Sequence, residues 1–142
     1  GYPRKGDVLL CCVGTIGRTC VYHFDYPIAF QRSVIFMRPK SEISSDFLCY
    51  ALQSISVEIQ ENLLINKTAQ DGLYMGAAQE IIIATTFDKE EQNRIVSFLE
   101  KQLKKIDEIL KIKSEQLETM QQHKQSLIFE YVTGKKRVKG AI

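Results

Sequence analysis

Residues 88–132 read DKEEQNRIVSFLEKQLKKIDEILKIKSEQLETMQQHKQSLIFEYV. Alternating steps of three and four along this stretch give Val96, Leu99, Leu103, Ile106, Leu110, Lys113, Leu117, Met120, Lys124, Leu127 and Tyr131, nine of the eleven apolar. That period, held through five heptads, marks a coiled-coil seam rather than an ordinary surface helix. No Gly or Pro interrupts it, and good helix formers dominate. Asp88 followed by Glu91 has the spacing of a capping box, and Gly134 signs the stop. Such a helix is roughly 65 Å long, more than a domain of this size is wide, so it is expected to project.

An apolar seam of this length calls for cover. Burying nine such side chains is worth of order 20 kcal/mol at about 25 cal/mol/Å², an upper bound before ordering entropy. A second helix is the expected cover, since no other segment of the chain is long enough. Lys113 and Lys124 are the polar seam positions, which select register or partner. A ridge facing solvent along its length, or broken into pieces around its own globule, would count against this reading.

The remainder suits one small domain. The chain has 142 residues, 44% of them hydrophobic, and a net charge of +2. Residues 1–87 hold seven bases against eight acids, residues 88–132 eight against nine, and the tail four bases and no acid. The globular part therefore lacks the overall basic footprint of a non-specific nucleic-acid binder. Cys11, Cys12, Cys20 and Cys49 show no zinc spacing and no disulfide framework; they read as structural thiols in a reducing cytoplasm. No apolar run is long enough to span a membrane.

Val8 to Val13 is a continuous apolar run, the pattern of a strand buried on both faces. Gly14-Thr15-Ile16-Gly17 turns it, and Arg18 to His23 resumes extended. Ile28 to Met37 reads as a further strand, and Glu80 to Ala84 as the last one. A helix from Ser44 or Ser45 to about Leu64 is expected to face the core with Leu48, Leu52, Ile55 and Ile59. Residues 66–72 read as a polar loop, and Leu73 to Gln79 as a short helical turn. The fold class is α/β (α+β): a small mixed domain with a short sheet and a packed helix, followed by one long projecting coiled-coil helix. Residues 1–87 form the domain, 88–133 the helix and 134–142 a basic tail.

The chemistry-bearing motifs are few. Gly14-Thr-Ile-Gly17 joins two strands instead of opening a helix, so it does not present the N–H cradle that grips phosphates. Gly134-Lys135-Lys136 lacks the rest of a P-loop. His23 and His123 have no nucleophile paired by spacing, and no metal-ligand or paired-carboxylate set stands out, so no catalytic or metal residues are assigned. Arg18, Gln31, Arg32, Lys67, Thr68, Gln70 and Tyr74 are different. Guanidinium and carboxamide groups match guanine and adenine edges in the major groove. Lysine and hydroxyl groups hold phosphates and fix register. The plainer reading of each is solvated loop surface.

The order of segments resembles a known family. Gly6-Asp7-Val8-Leu9-Leu10, then Gly14-Thr15-Ile16-Gly17-Arg18, then the Gln31 strand resemble the target-recognition domain of type I restriction–modification specificity (S) subunits. Gly72-Leu73 through Ile81-Ile82-Ile83, Glu91-Gln92-Asn93-Arg94-Ile95-Val96, and Gln125-Ser126-Leu127-Ile128 with Val132-Thr133-Gly134-Lys135 resemble its passage through a spacer helix. Thr85-Thr86-Phe87 stands where the family commonly has a proline pair, which makes for a less rigid helix start. The chain is also expected to begin inside a recognition domain, without the second domain-plus-helix repeat of a full S subunit.

The resemblance implies a non-catalytic reader of one half-site in double-stranded DNA. Its long helix would dock methyltransferase (M) subunits, with a restriction (R) subunit joining. S-adenosylmethionine, ATP and Mg would be held by those partners and no cofactor by this chain. It further implies that two copies pair antiparallel through Val96, Leu99, Leu103, Ile106, Leu110, Leu117, Met120, Leu127 and Tyr131. The alternative is a coiled-coil dimerisation and assembly module with no DNA reading of its own.

Overall fold

The computed structural model describes residues 2–65, 72–138 and 140. Its sheet has three antiparallel strands in the order β2-β1-β3, formed by β1 (Val8–Cys11), β2 (Thr19–Val21) and β3 (Val34–Met37). The unbroken apolar run takes the middle position, with Leu9 opposite both Cys20 and Phe36. Val8, Leu9 and Leu10 are all buried, so alternate side chains are covered on both faces. Gly14 and Gly17 have φ of +81° and +83°, the left-handed region that the turn between β1 and β2 needs and that glycine enters without a Cβ clash. β3 is shorter than the expected 28–37 strand. Before it the chain turns instead, the Val34 N–H donating to the Gln31 carbonyl at 3.2 Å.

The expected single helix of residues 45–64 is two helices, α1 (Ser45–Leu52) and α2 (Ile55–Leu64). Ser44 caps α1, its Oγ accepting from the Phe47 N–H at 3.1 Å. Ser54 is extended (φ −71°, ψ 150°) and restarts the helix. The restart changes the phase of the buried stripe. Leu52 is buried as expected, but Ile55 and Ile59 are 69% and 55% exposed, and Val57 and Glu61 face inward in their place. Val8, Cys49, Leu52 and Val57 form one core cluster; Leu10, Cys12, Ile35 and Leu73 form a second. α3 (Met75–Ala78) is the short turn expected after Leu73.

Of the expected strand 80–84, Glu80 still belongs to the turn after α3, its N–H donating to the Ala77 carbonyl at 3.0 Å, and residues 81–84 join no sheet. Ile81 and Ile83 pack on the core while Ile82 points out, the alternation that suggested a strand. The pairing comes from a side chain: Gln60 donates Nε2–H to the Ile82 carbonyl and accepts the Ile82 N–H at Oε1, both at 2.9 Å. One carboxamide stands in for a neighbouring strand.

The long helix, α4, runs without a break over Lys89–Val132, 44 residues. Asp88 Oδ1 accepts from the Glu90 N–H at 2.9 Å. The Asp88 N–H donates to Thr86 Oγ1 at 3.3 Å, where a capping box would have used Glu91. At the far end Gly134 (φ +74°) turns the chain and the Lys136 N–H donates to the Glu130 carbonyl at 2.9 Å.

Two compact units result, Gly1–Phe98 and Leu99–Ile142. The start of α4, from Lys89 to Phe98, belongs to the first unit, where Gln92 and Val96 are buried. In the second, Leu103, Ile106, Leu110, Leu117, Met120, Leu127 and Tyr131 are all exposed, Leu110 by 60% and Met120 by 70%. The ridge is unbroken, and in the single chain it faces solvent, the arrangement named above as counting against a covered seam; among the described residues no second helix is long enough to cover it. No helix among the described residues is long and apolar enough to cross a membrane.

Candidate nucleic-acid interface

The C-terminal end of β1 gathers three separate segments. The Cys11 N–H donates to the Arg18 carbonyl, and the Cys12 N–H to the Ser33 carbonyl, both at 2.8 Å. The Leu73 N–H donates to the Cys12 carbonyl at 2.8 Å, and Val13 bridges to Gly72. Cys12 adds a thiol contact to the Arg32 carbonyl at 3.5 Å. Three consecutive residues thus anchor the turn that carries Arg18, the loop that carries Gln31 and Arg32, and the start of α3 at Tyr74. The hydrogen-bond requirement of a buried strand end, whose polar groups must be paired, makes this rim.

Arg18, Gln31, Arg32 and Tyr74 are all exposed there. Lys67, Thr68 and Gln70 lie outside the described residues. Neither Arg18 nor Arg32 makes an ion pair among the described residues, unlike Arg38 with Asp7 or Arg94 with Asp88. A guanidinium without a carboxylate partner keeps its fork of donors free for a planar acceptor.

Asp7 is 1% exposed. Burial alone would push its carboxyl up, but Arg38 grips both oxygens at 2.8 Å and the Arg4 N–H adds a third bond, holding it below the usual carboxylate range. This pair fixes the start of β1 to the end of β3. Burial pushes the Cys12 thiol up, which suits a packed, unreactive cysteine. All four cysteines are free, Cys12 and Cys49 buried, Cys11 partly so and Cys20 exposed. No group of three or more His, Cys, Asp or Glu stands close enough to hold a metal among the described residues.

Gln92, Asp7 and Glu61 were not singled out by the sequence. Gln92 is fully buried: its Nε2 donates to the Glu42 and Thr86 carbonyls at 2.9 and 2.6 Å, and its Oε1 accepts the Ser44 N–H at 2.8 Å. It fastens the first turn of α4 to the capped end of α1. Glu61 sits against Gly17. A signal for it existed: Ser54 read as a helix start puts Val57 and Glu61 on one face four residues apart.

The described residues thus present a small antiparallel sheet with exposed basic and amide side chains at one rim, and a long helix follows in the chain. The family described as type I restriction modification DNA specificity domain matches residues 2–119. The chain belongs to that family. No curated protein matches the chain. Among solved structures, a chain from a study of complex assembly and conformational transition of the type I R-M system is similar, at 20% identity and a TM-score of 0.71. The match covers 91% of this chain and 31% of that one, so this chain spans less than a third of its solved relative. At that identity the likeness speaks for the fold.

Proposed function

We propose that this chain reads one half-site of a split DNA target as a non-catalytic specificity element, through Arg18, Gln31, Arg32 and Tyr74, with Lys67, Thr68 and Gln70 as further candidates. The observation that carries the reading is the gathering of three segments by Cys11, Cys12 and Val13, with two arginines there that make no ion pair among the described residues. One rim then offers bidentate donors for guanine and an amide for adenine. Residues 1–87 are the reading domain, 88–133 the spacer and 134–142 a basic tail. The helix docks methyltransferase subunits, and S-adenosylmethionine, ATP and Mg are bound by partner subunits. Four free thiols fit a reducing cytoplasm.

The test is duplex binding by the chain with its methyltransferase partners. Arg18→Ala or Arg32→Ala is expected to cost about 1–3 kcal/mol on the cognate half-site and little on others. Equal loss on every duplex would mean that these side chains hold phosphates only.

A second reading is favoured by the exposed α4 ridge: a coiled-coil assembly module whose main task is pairing. Two copies lying antiparallel would bury Val96 through Tyr131 of each against the other.

A further inference from the structure

A cleft of about 370 Å³ lies between the Gly14–Gly17 turn and the corner of α1 and α2. Ile16 and Leu52 give it apolar surface, and Gln53, Glu58 and Glu61 give it acceptors. Glu61 is 5% exposed, and its Oε1 has no hydrogen-bond partner among the described residues. Its Oε2 lies so close to Gly17 that a Cβ there would come within 2.5 Å. Gln53 spends its Nε2 on Thr19 Oγ1 at 3.0 Å and Cys49 Sγ at 3.4 Å, which leaves its amide oxygen as a third acceptor. Arg18 also lines the cleft but makes no ion pair with either glutamate among the described residues.

We infer that this cleft binds an ammonium or guanidinium group carried on a short aliphatic stem. Two carboxylates and an amide oxygen match a head group that only donates, and Ile16 and Leu52 match the stem. A buried carboxylate without a donor is the costly state that such a head group relieves. Burial, with the charge of Glu58 added, pushes the Glu61 carboxyl up, in keeping with an acid that lacks its counter-ion. The ligand is either a free alkylamine or a lysine or arginine side chain of a protein. The inference is independent of DNA reading.

The test is titration of the full chain with n-butylamine, n-propylguanidine and a peptide of residues 134–138, followed by the Gly17 amide resonance and by calorimetry. Saturable binding is expected with a dissociation constant of about 1 mM or tighter, weakened at least about tenfold by Glu61→Gln and unchanged by Glu115→Gln on α4. Binding of the free amines identifies a small molecule as the source; binding of the peptide alone identifies a protein side chain. Absence of a saturable Gly17 shift with all three probes overturns the inference, as does a Glu61→Gln protein that binds like the parent. Should Glu61→Gln not fold, the exposed Glu58→Gln serves in its place, with a severalfold loss expected and equal binding again overturning the inference.

Discussion

Gln92 uses its whole amide, two donors and one acceptor, to hold three backbone groups from two segments, Glu42 and Ser44 in one and Thr86 in the other. Truncation would leave those groups facing a dry gap, each at a cost of roughly 1–3 kcal/mol where no water replaces the bond. Gln92→Ala is therefore expected to lose about 2–4 kcal/mol of stability of residues 1–98 in urea denaturation. Asp7 carries a pH signature. Its folded pKa lies below the ordinary 3.8, so its contribution is present above that value and lost as pH falls through the folded one. Glu61 has the opposite sign: its pKa is raised above 4.5, so its contribution is present below 4.5 and lost as pH rises through the folded value. Asp7→Asn is expected to cost about 1.5–3 kcal/mol at neutral pH and to flatten the loss of stability on acidification below about pH 4, measured by acid titration of the unfolding midpoint. Neither residue was legible in the sequence. A polar letter in a polar stretch does not announce that the chain folds over it, and Asp7 and Gln92 stood out only as parts of family motifs.

At the scale of elements, the sequence was most legible where the pattern was longest. α4 was readable end to end because its seam repeats many times without a Gly or Pro, and its start and stop are both signed. β1 was readable because an unbroken apolar run has one economical place, the middle of a sheet. The break between α1 and α2 was hidden, since Leu48, Leu52, Ile55 and Ile59 keep helical spacing across it. Only the extended backbone at Ser54 reveals the change of phase. Residues 80–84 misled for a different reason: they alternate like a strand while Gln60 supplies their pairing. The seam carries its own prediction. The double variant Leu103→Asp, Leu110→Asp puts like charges on the ridge and is expected to turn a concentration-dependent dimer into a monomer by light scattering. The sheet domain should remain folded, because neither side chain belongs to its core. A parent chain that stays monomeric at high concentration would remove the pairing.

For the molecule as a whole, the distribution of charge limits how DNA can be held. Residues 1–98 hold nine bases against eleven acids, and residues 99–142 hold ten against six. On the proposed reading, affinity comes from a local rim rather than from the overall field of residues 1–98. The logarithm of the binding constant is expected to fall with the logarithm of salt at about −0.9 per neutralised phosphate, giving a slope of roughly −2 to −4 for two to four rim contacts. A slope several units steeper would place the helix and tail on the phosphates as well. The candidate rim was legible as residue types, since Arg18, Gln31, Arg32 and Tyr74 could be named. Their convergence was not, because it depends on which loops the end of β1 happens to satisfy.

The carboxamide of Gln60 has one more effect. An isoleucine-rich ribbon with free amide and carbonyl groups is a template on which stray chains can stack into fibrils. With Ile82 already occupied from within, that ribbon offers less of a sticky margin, and the chain keeps one hazardous surface out of circulation.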